Sequence, residues 1–403
     1  MKKPDYIIGF IGIYLLAIFL DFLINDFLFS DFFGSGTEKL IKAVAQFSLV
    51  NFDKDNSEIS SSYLFYSLIV TQLAGIMWLT IFLWCYRKLF DQTNPHSLKD
   101  TLYVTLKVSI IIEVVLFLFF LYAIPGDYVN QSFSQRLLTA LTLSVNSFNN
   151  AGISHLDQIL GNDMMQSSYV LQLGVIGGSA LGNLGIFVIN ELFAPTNLRH
   201  RLAHPNTDWS FITKISVFGG SAIILIGSLL FFINEQNAAF TDKNLMESII
   251  GSIFEVNSSR GFGYYLYENC GSTSEVILII TNMLGSGPFS TGGGLTILFF
   301  PALLYLLSGK NHKYGPNLKL SYILVKNLVL YSILVFAFVT VAKYFLDDSH
   351  HILNILHNQW MMFSSNTVSW KGSGNLSSMV DVATITFGRI SFIVACYMTW
   401  KKK

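Results

Sequence analysis

The sequence predicts an all-α integral membrane protein in which one helical unit recurs four times. Three observations lead there. The chain is 52% hydrophobic and only 12% charged, with a mean hydropathy of +0.51, which suits lipid-facing surface better than a soluble core. Apolar segments occur at 6–24, 63–86, 103–124, 168–194, 211–233, 275–308, 320–345 and 379–400, each near or above the roughly 20 residues that a helix needs to cross hydrocarbon. Every second connection between them holds a moderately apolar piece too short to cross.

The first segment, "MKKPDYIIGFIGIYLLAIFLDFLI", starts like a signal peptide but has no small-residue cleavage site. It is expected to remain as the first transmembrane helix. Basic residues cluster in "MKK", "CYRKLFDQTNPHSLKD", "NLRHRLAHP", "GKNHKYGPNLK" and "KKK", whereas the other connections carry Asp31, Asp53, Asp55, Glu58, Asp127, Asp157, Glu247, Glu268, Asp347 and Asp348. The positive-inside bias therefore places both termini in the cytoplasm of a multi-pass cell-membrane protein.

The short pieces lie in the acidic, outside connections: "EKLIKAVAQFSLVNFD", "SQRLLTALTLSVNSFNNAGIS", "NLMESIIGSIFEVNSSRGFGYY" and "HILNILHNQWMMFSSNTVSWKG". Each reads as about three helical turns and then extended chain, the pattern of a re-entrant half-helix. The units are then 1–98, 99–205, 206–316 (with a Gly-rich loop) and 317–403. Each is a membrane-pore-membrane repeat, giving eight transmembrane helices and four half-helices. Because all four begin on the cytoplasmic side, they are expected to stand pseudo-fourfold around a central path. Half-helix C-termini carry partial negative charge, and the extended residues after them can offer carbonyls in place of an ion's water shell. A cation is the ligand this arrangement favours.

One segment breaks the apolar pattern from within. In "NMLGSGPFSTGGGLTILFF", Gly285, Gly287, Pro288, Gly292, Gly293 and Gly294 interrupt the sixth segment. Irregular backbone at that depth is tolerated only against protein or a water-filled path. A loop across the ion path explains the glycines better than close helix packing does.

These motifs carry a resemblance. "SVNSFNNAGIS", "NSSRGFGY" and "GSGPFSTGGGLT" resemble the second and third filter loops and the gating loop of the Trk/Ktr/HKT potassium transporters. "IGGSALGNLGIFVINEL", "DWSFITKISV" and "FGRISF" extend the likeness over essentially the whole chain. With no extra spans before the first repeat, it is most similar to the Ktr-type membrane subunit. The resemblance implies uptake of monovalent cations, potassium first among them, through a filter and an intramembrane gate. It implies filter pairs at Val50–Asn51, Ala151–Gly152, Phe262–Gly263 and Val368–Ser369. The implied gate comprises Gly285, Gly287, Pro288, Ser290, Thr291, Gly292, Gly293, Gly294 and, below the filter, Arg389. Asn51 and Ser369 stand where the family has glycine, Thr296 where it usually has lysine, and Lys371 adds a cation near the outer mouth, so a degenerate filter with weakened potassium preference is expected. The implied partners are the lipid bilayer, a second copy in a homodimer, and cytosolic nucleotide-binding regulatory subunits.

Several polar residues lie within apolar segments. Arg389 is read as a gate residue or as a structural arginine paired with helix-end carbonyls or an acid; Glu113 contacts Arg389 or another cation, or serves structure. Arg260 is expected to brace its loop through carbonyls, and Asp53, Asp157 and Asp381 either line an outer vestibule or are plain solvated surface. The zero net charge points to no nucleic acid. Cys85, Cys270 and Cys396 lack metal or disulfide spacing. No Walker loop or dinucleotide fingerprint occurs, so no enzymatic activity, cofactor or metal beyond the transported cation is expected. The rival readings are a non-conducting paralogue of a transporter and a secondary carrier for a small solute.

Overall fold

The structure, a computed structural model, describes residues 5–29, 35–53, 60–90, 98–124, 133–152, 162–204, 208–241, 243–267, 270–294, 296–307, 316–346, 352–364, 367–369 and 375–401. Its helices, in chain order, are α1 (Asp5–Leu28), α2 (Gly36–Phe47), α3 (Ser61–Leu89), α4 (Leu98–Ala123), α5 (Phe133–Asn149), α6 (Asn162–Ser167), α7 (Tyr169–Leu184), α8 (Ile186–Phe193), α9 (Pro195–Ala203) and α10 (Phe211–Glu235). They continue with α11 (Leu245–Asn257), α12 (Ser272–Leu284), α13 (Phe299–Leu307), α14 (Pro316–Leu346), α15 (Ile352–Phe363) and α16 (Asn375–Lys401). Two three-residue strands, β1 (Asn51–Asp53) and β2 (Thr367–Ser369), complete the described elements.

Among the described residues, α1, α3, α4, α10, α14 and α16 are long and apolar enough to cross a membrane. Their outward faces remain apolar, with Ile13, Leu16 and Phe19 on α1 and Leu225, Ile226 and Leu229 on α10 exposed, as lipid contact requires. Each of α1, α4, α10 and α14 is followed by a shorter helix, α2, α5, α11 and α15. Side-chain caps start several helices: Ser35 accepts from Glu38 N on α2, and Asn244 and Glu247 form a reciprocal box on α11.

Two of the expected spans are broken. The segment 168–194 is not one helix but α7 and α8, bent by 102° at Gly185. Gly185 has φ +81°, and a Cβ there would come within 2.7 Å of the Phe289 carbonyl, so both the backbone conformation at the bend and the close approach of the neighbouring loop require glycine. The segment 275–308 divides into α12 and α13, with the Gly-rich loop between them.

Buried polar contacts tie the helices together. Lys343 on α14 pairs with Asp381 on α16 at 2.7 Å, and Gln359 on α15 donates to the same carboxylate at 2.8 Å. Asp381 is 3% exposed, which corrects its placement on a vestibule or solvated surface: its face of α16 packs against α14 and α15, where Lys343 balances the charge. Glu113 accepts from Gln72 at 2.8 Å and from Asn149 at 3.2 Å. It does not reach Arg389; it anchors the C-terminal end of α5.

Candidate functional site

The ends of the short helices are held by side chains from the long ones. Trp78 of α3, fully buried, donates its indole N–H to the Phe47 carbonyl at the end of α2 (2.6 Å), and Tyr14 of α1 shares a hydroxyl contact with Ser48 (2.7 Å). At the end of α11, Asn282 donates to the Ser259 carbonyl (2.8 Å) while accepting from Trp360 (2.9 Å). Glu255 accepts from the Leu266 and Tyr267 backbone N–H groups at 2.6 and 3.2 Å, so the chain after Gly263 is strapped back onto its own helix.

Beyond those ends the extended segments meet. Gly152 and Gly263 adopt φ of +67° and +72°, the left-handed region that glycine enters without steric cost. Asn51 does not follow them. It lies in β1, which pairs in parallel with β2 in the register Asn51 to Thr367, Phe52 to Val368 and Asp53 to Ser369. The two segments that lack glycine thus satisfy their backbone groups on each other. Asn51 Nδ2 donates to the Gly263 carbonyl at 2.9 Å, and a Cβ on Gly152 would lie 2.5 Å from Asn51 Cγ. All four segments therefore converge on one residue. Val50 and Phe262 are buried beside it and Ala151 is half-buried. The side chains of Val368 and Ser369, and Asp157 and Lys371 altogether, lie outside the described residues.

The Gly-rich loop lies against this junction. Gly293 N donates to the Arg260 carbonyl and Gly294 N to the Ser364 carbonyl, both at 3.1 Å, and Gly287 N to the Asn183 carbonyl at 2.9 Å. Asn150 Nδ2 donates to the Thr291 hydroxyl at 3.0 Å. Segments two, three and four are thus each bonded to the loop. Within it, Ser290 donates to the Gly287 carbonyl (2.6 Å) and touches the Ser286 hydroxyl, while Gly285 caps α12 and Pro288 is buried in the turn that follows. Arg260 braces as expected, its Nε donating to the Gly285 carbonyl at 3.1 Å.

Arg389 closes the arrangement from α16. Its Nη1 donates to the Thr291 carbonyl at 3.0 Å, and the guanidinium lies 4.9 Å from the Trp78 ring centre and 5.7 Å from that of Phe82. The same arginine thus touches the loop and the tryptophan that holds α2. Its Nε and Nη2 are buried without partners among the described residues. The residue also lines a cavity of about 50 Å³ together with Ser286, Thr296, Trp360 and Ser364, room for one or two waters.

Sequence reasoning missed three contributors. Asn150 was hidden in a run of two asparagines, where only its loop contact separates it from Asn149. Phe289, a bulky residue inside a glycine-rich stretch, was a legible signal; it packs edge-on against Tyr86, Phe90 and Phe392 at 5.2–5.9 Å. Lys42, 2% exposed on α2 with Asp21 as its charge neighbour, looked like an ordinary amphipathic-helix lysine.

No family model matches the chain. In sequence it is 23% identical over 364 residues to the Ktr system potassium uptake protein D of Bacillus subtilis, covering 82% of this chain and 77% of that protein. It is 27% identical over 172 residues to the Ktr system potassium uptake protein B of Vibrio alginolyticus, covering 40% of this chain and 34% of that one. In fold it resembles the crystal structure of the potassium transporter TrkH from Vibrio parahaemolyticus, with a TM-score of 0.79 over 99% of this chain and 85% of that chain, at 12% identity. In sequence the chain is thus similar to Ktr system potassium uptake proteins, and it shares the fold of the potassium transporter TrkH.

Proposed function

We propose that the chain takes up potassium across the cell membrane, with sodium also permeant, along a path from the junction of the four extended segments to the Gly-rich loop beneath it. The observation that carries this reading is the meeting of Asn51, Gly152, Gly263 and Thr367 above a loop tied to Asn150, Arg260, Ser364 and Arg389. The short helices α2, α5, α11 and α15 would aim their negative C-terminal ends at the path. The carbonyls of Val50, Ala151, Phe262 and Val368 and the atoms of the residue after each would replace the water shell. The loop from Gly285 to Gly294, held by Arg389, would be the gate.

Four membrane-pore-membrane repeats, 1–98, 99–205, 206–316 and 317–403, accommodate this reading. They make eight crossings once α7 with α8 and α12 with α13 each count as one broken span. The basic clusters favour cytoplasmic termini. Because one chain supplies all four segments, a homodimer would carry a pore in each protomer. The two curated relatives are each named as part of a Ktr system, which supports a further component working with this chain; by the family resemblance it would be a cytosolic nucleotide-binding regulatory subunit.

Growth at limiting potassium tests the reading. Cells stripped of their own potassium uptake should grow at micromolar to millimolar potassium when they express this chain, alone or with its regulatory partner. Surface expression without rescue in either case would favour a non-conducting paralogue.

A further inference from the structure

The side chain at the junction is itself unusual for an ion path. Asn51 is 5% exposed, and its Nδ2–H points at the Gly263 carbonyl oxygen (2.9 Å). That carbonyl is one a passing cation would need, and the amide hydrogen presents partial positive charge in the cation's place. Asn51 Oδ1 is buried and has no hydrogen-bond partner among the described residues, a costly condition for an amide oxygen. It would lie 2.7 Å from a Cβ on Gly152, so it faces the second segment while the nitrogen faces the third. The backbone of Asn51 is fixed by pairing with Thr367. Only rotation about the side chain's own bonds remains.

We propose that the Asn51 carboxamide is a two-position latch in the ion path, closed when its N–H group binds the Gly263 carbonyl and cation-binding when the amide turns over. A half-turn of the amide plane exchanges nitrogen and oxygen in nearly the same volume. It sets Oδ1 opposite the Gly263 carbonyl oxygen. Two acceptors repel unless a cation sits between them, so the turned form is stable only with an ion bound. Both oxygens are uncharged, a ligand pair that suits a monovalent cation and does little to offset the hydration of a divalent one. The latch thus employs the oxygen that is otherwise without a partner. It rests on the transport reading above and adds to it a specific ligand that the glycine-bearing segments cannot supply.

The test uses the purified full-length chain and three substitutions. Asn51→Asp keeps the shape but replaces the donor with an acceptor; Asn51→Leu keeps the volume and removes both; Asn51→Gly empties the position. Thermal unfolding is measured in potassium chloride and in choline chloride at equal ionic strength. Potassium should raise the Tm of the wild type, raise that of Asn51→Asp by more, and raise that of Asn51→Leu, which keeps only the backbone ligands, by less. In proteoliposomes, Asn51→Gly should take up rubidium about fivefold faster than the wild type, the ratio set by one lost hydrogen bond of ordinary net strength. Equal potassium shifts in all three proteins, or equal rubidium rates for wild type and Asn51→Gly, would overturn the latch. If neither wild type nor Asn51→Gly carries rubidium, the transport reading fails and the thermal shifts alone decide whether Asn51 binds the cation. Should Asn51→Leu fail to fold, Asn51→Ala serves the same comparison.

Discussion

Replacing Arg389 with methionine should loosen the proposed gate with little effect on folding, and the two effects can be separated. The guanidinium contributes one charge-assisted hydrogen bond to the Thr291 carbonyl at 3.0 Å, worth about 2 kcal/mol. Its stacking near Trp78 and Phe82 adds up to about 2 kcal/mol in a desolvated setting. Against this stand Nε and Nη2, buried without partners, at about 1–3 kcal/mol for each donor left unmade. The opposing terms are of similar size. Methionine has comparable length, needs no hydrogen bond and keeps contact with the two rings. Global stability should therefore change by no more than about 1 kcal/mol. The loop, however, loses its tie to α16. If the Thr291 bond contributes about 2 kcal/mol to the closed position, its loss raises the open population about 30-fold where closure dominates. Rubidium efflux from vesicles of equal protein content reads that ratio, and Tm reads folding. Arg389→Gln, which can still donate to Thr291 but carries no charge, should fall between wild type and Arg389→Met. Unchanged efflux in both variants, with Tm also unchanged, would refute the latch between Arg389 and the loop.

Three further outcomes are expected. Removing one member of the buried Lys343–Asp381 pair, as in Lys343→Met, should cost about 3–5 kcal/mol because it strands a charge, whereas Lys343→Met with Asp381→Leu should recover most of that loss in Tm. Phe289→Ala should lower stability by about 3 kcal/mol through loss of its ring contacts with Tyr86, Phe90 and Phe392 and also raise basal rubidium flux. Asn51→Gly combined with Ser369→Gly should raise the preference for rubidium over sodium in competitive uptake, by about tenfold if carbonyl geometry gains about 1.4 kcal/mol; an unaltered ratio would show that these positions do not set selectivity.

The long helices were legible because hydrophobic length is a local property: the segment expected at 63–86 lies inside α3, and that at 103–124 overlaps α4 to within one residue of its end. The break in the sixth segment was legible for a related reason, since Gly287–Pro288 and the run Gly292–Gly294 cannot sustain a helix. The bend at Gly185 was not. A lone glycine in an apolar stretch reads as tolerated packing, and what makes glycine necessary at the turn is the close approach of the Phe289 carbonyl, from far along the chain. Asp381 was misplaced likewise, because its partner Lys343 comes from another helix and sits in a face that sequence alone cannot orient. The substitutions at Asn51 and Ser369 were visible as departures from the family pattern. Their structural consequence, strand pairing between the first and fourth segments and an amide reaching the third, depends on long-range closure and left no mark in either local stretch.

The central claim is that this single chain contains a complete cation path. Purified protein, reconstituted without any partner into potassium-loaded vesicles with an inside-negative potential, is the direct measurement. Rubidium should accumulate above protein-free vesicles, be diminished by external potassium, and accumulate faster with Arg389→Met. Uptake indistinguishable from protein-free vesicles for both wild type and Arg389→Met would contradict the claim.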